Sequence, residues 1–127
     1  MKRRYLESVI LEDLKKKMVF IGGPRQVGKT TLAKLIRPAF VNPTYLNWDS
    51  LGHKNKILSE KWPSDTDLLI FDEIHKYRKW KSFIKGVWDT RPDNLSILVT
   101  GSAKLDIFRR GGDSLMGRYH YFRLHPF

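Results

Sequence analysis

Between Gly23 and Thr30, in the run IGGPRQVGKTTL, two glycines, a lysine and a hydroxyl stand at the spacing G-x-x-x-x-G-K-[ST]. That spacing suits one chemistry. Glycines let backbone N–H groups close around phosphate oxygens, Lys29 reaches the β- and γ-phosphates, and Thr30 offers its hydroxyl to Mg2+, a hard cation that takes oxygen ligands and keeps several waters. A plain turn needs one glycine and explains neither the lysine nor the hydroxyl. Gly23, Pro24, Arg25, Gln26, Val27, Gly28, Lys29, Thr30 and Thr31 are therefore expected to cradle the phosphates of a nucleotide.

A cradle alone does not say whether the nucleotide is cleaved, so the carboxylates matter. Asp72 and Glu73 close the short apolar run DLLIFDE. Asp72 suits the metal side of such a site, with Thr30 as the other metal ligand, and Glu73 can hold and polarise an attacking water. An acidic pair facing solvent at a strand end is the plainer reading, and the cradle upstream weighs against it. In VTGS, Thr100 and Ser102 either place a hydroxyl near the γ-phosphate or cap a following helix, two roles that are compatible. Arg118 could set a guanidinium on phosphate oxygens, although spacing alone suits a surface arginine nearly as well. His75 and His120 have no partner at metal-ligand spacing and read as structural.

These groups need a scaffold. Leu6, Val9, Ile10 and Leu14 recur at helical spacing over Arg4 to Lys16. MVFIGG then reads as a buried strand, and Thr30 to Ile36 as the helix after the glycine loop, ended by Pro38. TYLNWD (Thr44 to Asp49) is a second short strand, His53 to Lys61 a helix, and DLLIFDE (Asp67 to Glu73) a strand buried on both faces. Trp80, Phe83, Ile84, Val87 and Trp88 mark the clearest amphipathic helix, its tryptophans directed to the core rather than to stacking. Leu95 to Ser102 is another buried strand, AKLDIFRR a short helix and Tyr119 to Leu124 a last strand. Strands alternating with helices predict an α/β fold with a mostly parallel sheet and right-handed crossovers.

With 127 residues, 41% of them hydrophobic, the chain supplies one core and is too short for two ordinary domains. It has no cysteine, which excludes disulfides and thiolate metal sites and makes a cytoplasmic location the natural assumption. Acidic residues interrupt every apolar stretch, so no signal segment or membrane span can be drawn. The formal net charge is +11, from 24 Lys and Arg against 13 Asp and Glu, which raises the question of a nucleic-acid partner. The basic residues are dispersed over several elements, however, which favours ordinary solvated faces.

The stretches GPRQVGKTTL, LLIFDEIHKYRKWKSFIKGVWD, ILVTGS and SLMGRYHYFRLHPF, taken in order, resemble the AAA-related P-loop ATPases of archaea and bacteria, proteins often joined to a further C-terminal domain. The resemblance covers nearly the whole chain. It implies a three-layer P-loop core with a five-stranded sheet of order 5-1-4-3-2, ATP as the nucleotide, Gly23 to Thr30 as Walker A and Asp72-Glu73 as Walker B. It also gives Thr100 to Ser102 a sensor-like place and raises Arg118 above a surface residue. Such proteins continue past the LHPF position, so residues 1–127 are expected to form an ATPase domain followed by a C-terminal part, slow as an enzyme without it and possible as a homo-oligomer with it.

The expected activity is Mg2+-dependent ATP hydrolysis by water attack on the γ-phosphate, with Glu73, Lys29, Ser102 and Arg118 as catalytic groups. ATP is favoured over GTP by the resemblance and by the lack of an N-K-x-D motif. The rival is a nucleotide-dependent switch or nucleic-acid-associated module with little turnover, supported by the positive charge. A small-molecule kinase is a weaker third reading, since adjacent acids favour water as the acceptor.

Overall fold

Runs such as MVFIG, LLIFD and SILVT hold apolar side chains at consecutive positions, which a strand can satisfy only if both faces of its sheet are covered. The computed structural model, which describes residues 2–23, 29–101 and 117–123, shows that arrangement. The elements are α1 (Lys2–Leu14), β1 (Met18–Gly22), α2 (Lys29–Ile36), β2 (Pro43–Asn47), α3 (Leu51–Ser59), β3 (Leu68–Asp72), α4 (Trp80–Thr90), β4 (Ser96–Thr100) and β5 (Tyr119–Arg123). Strands alternate side chains between faces, and the two cores follow from that period. Met18, Phe20, Leu69, Phe71, Ile97 and Val99 meet Ile57 of α3 and Trp80, Ile84 and Val87 of α4. Val19, Ile21, Leu68, Ile70 and Leu98 meet Ile10 and Leu14 of α1 and Leu32, Ala33 and Ile36 of α2. Burying each such side chain is worth about 1.5–3 kcal/mol.

All pairings are parallel, in the order β2-β3-β4-β1-β5, the 5-1-4-3-2 sheet of the P-loop fold read from the other edge. The register sets Asn47 beside Asp72 and Asp72 beside Thr100. Element boundaries fall within a few residues of those predicted, and a 3-10 turn at Arg37–Ala39, carrying Pro38, follows α2. Trp80 is buried, while Trp48, Trp62 and Trp88 pack against the α3/α4 core half-buried, so the amphipathic stripe of α4 is a packing face. The predicted AKLDIFRR helix lies outside the described residues. Among the described residues no helix is long and apolar enough to cross a membrane.

Candidate nucleotide site

Because every strand runs the same way, the residues that end β1, β2, β3 and β4 share one edge of the sheet. At the end of β1, Gly22 N-terminal to the loop faces Tyr121 of β5, whose hydroxyl would collide with any Cβ there. Gly23 follows with φ of 142°, a backbone that side chains rarely adopt. Residues 24–28, including Pro24, Arg25, Gln26, Val27 and Gly28, lie outside the described residues. Lys29, Thr30 and Thr31 form the first turn of α2, and their side chains likewise are not described. Strand, loop and helix thus succeed each other as the spacing required, and the N-terminal end of α2 contributes the positive end of its dipole toward an anion at the loop.

Asp72 ends β3 on the α1/α2 side, two residues on from Ile70. Its carboxylate is engaged at both oxygens. The Tyr45 hydroxyl donates to Oδ2 at 2.6 Å, and the Thr100 hydroxyl donates to Oδ1 at 2.9 Å. Asn47 Nδ2 in turn donates to the Tyr45 oxygen at 3.2 Å. Burial, and then the hydrogen bond to Asp72, push the Tyr45 phenol far above its ordinary range, because a phenolate would be poorly solvated and would face a carboxylate. Tyr45, Asp72 and Thr100 line a cavity of about 230 Å³ with Ala33, Lys34 and Arg37 of α2 and the turn after it. Oxygen donors of a fixed carboxylate, beside the helix that starts with Lys29-Thr30, fit a hard divalent cation.

Glu73 departs from the strand. Its φ of 58° and ψ of 26° place it in the left-handed region, from which the 3-10 turn Ile74–Lys76 begins. The Glu73 N–H donates to the Thr100 carbonyl at 2.8 Å, tying this turn to β4. A non-glycine residue in that region costs of the order of 1 kcal/mol and persists where its surroundings dictate it. The carboxylate is nearly buried, 3.5 Å from His75 Nε2 and 3.7 Å from Lys76 Nζ. Lys76 also binds Asp49 at 3.0 Å.

The structure thus brings Gly23, Asp72, Glu73, Thr100 and the start of α2 to one edge. Ser102 lies outside the described residues. Arg118 is not brought there: it precedes β5, its carbonyl accepts from Met18 N at the opposite edge, and its Nε binds Asp89 Oδ1 at 3.1 Å. A five-residue strand, about 16 Å long, separates the two edges. The expectation that Arg118 serves the phosphates of its own chain is therefore corrected. His120 binds Asp13 of α1 at 2.7 Å on an exposed surface, a structural role. His75, set aside on spacing, proves to touch Glu73. Tyr45 and Asn47 escaped the sequence reading altogether, since only the pairing of β2 with β3 brings them to Asp72.

Residues 15–127 match the family of AAA domains. No curated protein sequence matches the chain. Among solved structures, a Bacteroides Pif1 helicase in complex with ADP-AlF3 and ssDNA is similar at 14% identity and a TM-score of 0.62, over 99% of this chain and 42% of that one. A DNA replication initiation factor is similar at 15% identity and 0.64, over 97% and 46%. A Thermotoga maritima RuvB variant is similar at 21% identity and 0.62, over 95% and 44%. This chain therefore spans less than half the length of each, and at such identities the likeness concerns the fold.

Proposed function

This chain belongs to the family of AAA domains, and from that premise we propose that it binds ATP with Mg2+ and hydrolyses it by in-line attack of water on the γ-phosphate. The observation that carries the reading is Asp72, oriented by two neutral hydroxyls on the sheet edge where β1 enters the glycine loop. In this reading Gly23 to Thr31 hold the phosphates, with Lys29 on the β- and γ-phosphates. Thr30 and Asp72 hold Mg2+, which when bound neutralises charge on the phosphate oxygens. Glu73 orients the attacking water, and Ser102 lies just beyond the Thr100 that steadies Asp72. Most of the catalysis is positioning and charge compensation.

Arg118 reaches a phosphate only from a neighbouring copy. A homo-oligomer would then show specific activity rising with protein concentration, and a flat dependence removes Arg118 from the reaction. Without such an arginine turnover is slow, since an arginine finger is worth about 10³–10⁵ in rate.

The test separates binding from chemistry. Glu73→Gln keeps ATP-induced thermal stabilisation in the presence of Mg2+ while γ-phosphate release at saturating ATP falls to the level of Lys29→Ala, which neither binds nor turns over. Equal release by intact protein and Glu73→Gln, both above that blank, overturns Glu73 as the water-orienting residue and favours a nucleotide switch.

The charge of +11 supports a second reading, in which the nucleotide regulates contact with nucleic acid. Anisotropy titrations with DNA and RNA at two salt concentrations decide it, because phosphate contacts give a steep salt dependence.

A further inference from the structure

We propose that Tyr45 is a positioning residue for the metal-binding carboxylate of Asp72, a proposal that rests on the reading of Asp72 as a Mg2+ ligand. Tyr45 lies on β2, the sheet's edge strand, two residues before the Asn47 that pairs with Asp72. Its hydroxyl has one proton to give. Asn47 Nδ2 donates to the same oxygen, so the proton points away from Asn47 and toward Asp72 Oδ2, 2.6 Å away.

Asn47 is itself held. Its backbone N–H donates to His53 Nδ1 at 3.0 Å, and its Oδ1 accepts from the Asp49 N–H at 2.9 Å. The relay His53, Asn47, Tyr45, Asp72 therefore fixes one carboxylate oxygen, and Thr100 fixes the other. Each oxygen keeps capacity for a further interaction, because a carboxylate accepts at about four sites. Both donors are uncharged, so the net charge of Asp72 stays available to a cation. Outer-shell hydrogen bonds of this kind orient a ligating carboxylate and tune the metal it holds.

A second role for the same hydroxyl would be to tie β2 to β3 and nothing more. The two roles separate on metal affinity. Mn2+ serves as the probe, titrated by the electron-spin signal of the free ion into the full chain saturated with a non-hydrolysable ATP analogue. The proteins compared are the intact chain, Tyr45→Phe, Asn47→Ala and Asp72→Asn, each with a thermal melt, and each also titrated with the analogue in metal-free buffer.

Tyr45→Phe is expected to bind Mn2+ about tenfold more weakly, at the low end of outer-shell substitutions, with metal-free analogue affinity unchanged. Asn47→Ala shifts it in the same direction and less. Asp72→Asn shifts it most. If Tyr45→Phe matches the intact chain while Asp72→Asn is weakened, the positioning role falls and the metal reading stands. If Asp72→Asn is unaffected, the metal reading falls and takes this proposal with it. Equal losses of Mn2+ and of metal-free analogue in Tyr45→Phe overturn the proposal as well, since the hydroxyl would then act on the fold or the nucleotide. Should Tyr45→Phe fail to fold, Asn47→Ala carries the test, and an unchanged Mn2+ affinity there overturns the proposal.

Discussion

The two edges of the sheet hold carboxylates in opposite ways. At one, Asp72 is part-buried and its partners among the described residues are hydroxyls, so its geometry is fixed and its charge is left uncompensated. At the other, Asp89 is exposed and bound by Lys85 at 3.0 Å and Arg118 at 3.1 Å, so its charge is already answered. The hydrogen bonds from Lys85 and then Arg118 hold the Asp89 carboxyl below its ordinary range. A carboxylate meant for a cation is better oriented by neutral donors than neutralised by charged ones. Residue type does not distinguish these two aspartates; their neighbours do.

The strongest test of that contrast exchanges the charge at each edge. Asp72→Asn should remove the Mg2+-dependent part of the stabilisation by ATP, whereas Asp89→Asn should leave it intact. The readout is the nucleotide-induced rise in melting temperature with and without Mg2+, which tracks occupancy. Equal effects of the two substitutions would erase the distinction.

Removing one orienting hydroxyl should do less. Thr100→Val keeps the shape of a buried side chain and takes away the donor to Asp72 Oδ1. We expect a loss of about 1–2 kcal/mol in stability by denaturant titration, together with a weaker Mg2+ requirement profile at unchanged metal-free nucleotide binding. A stability loss with no change toward Mg2+ would mean that Thr100 only ties β4 to β3.

At the opposite edge the expected effects are smaller still. Arg118→Ala and Arg118→Lys should each lower the melting temperature by no more than a few degrees, as exposed ion pairs do. At protein concentrations where the chain is monomeric they should leave phosphate release unchanged. A drop in release by Arg118→Lys at high concentration alone would place the guanidinium in a neighbouring copy's site.

The smallest differences lie in pH dependence, with opposite signs at the two edges. Asp89 has its folded-state pKa lowered, so its contribution is present above the unfolded carboxylate range and is lost as pH falls through the folded value. Arg118→Ala should flatten that acid limb slightly. Tyr45 has its folded-state pKa raised, so its contribution is present below the unfolded phenol value and is lost as pH rises toward the folded one. Tyr45→Phe should flatten the alkaline limb. Stability curves against pH for the two variants check both signs.

What the sequence by itself determined are the features whose cause is local. The eight positions from Gly23 to Thr30 carry their own spacing, the apolar runs of β1, β3 and β4 demand cover on both faces, and the stripe from Trp80 to Trp88 demands a packed helix. The sheet order came from likeness to a family rather than from the residues, because which strands adjoin is a matter of long-range pairing. Only the tertiary structure decided what Asp72 touches, since Tyr45 and Thr100 stand 27 and 28 residues away along the chain. It also decided against Arg118 within its own chain. That outcome has a simple reason: in an all-parallel sheet a residue before its strand and a loop after another strand lie on opposite edges, so Arg118 and the loop at Gly23 are kept apart by the length of β1.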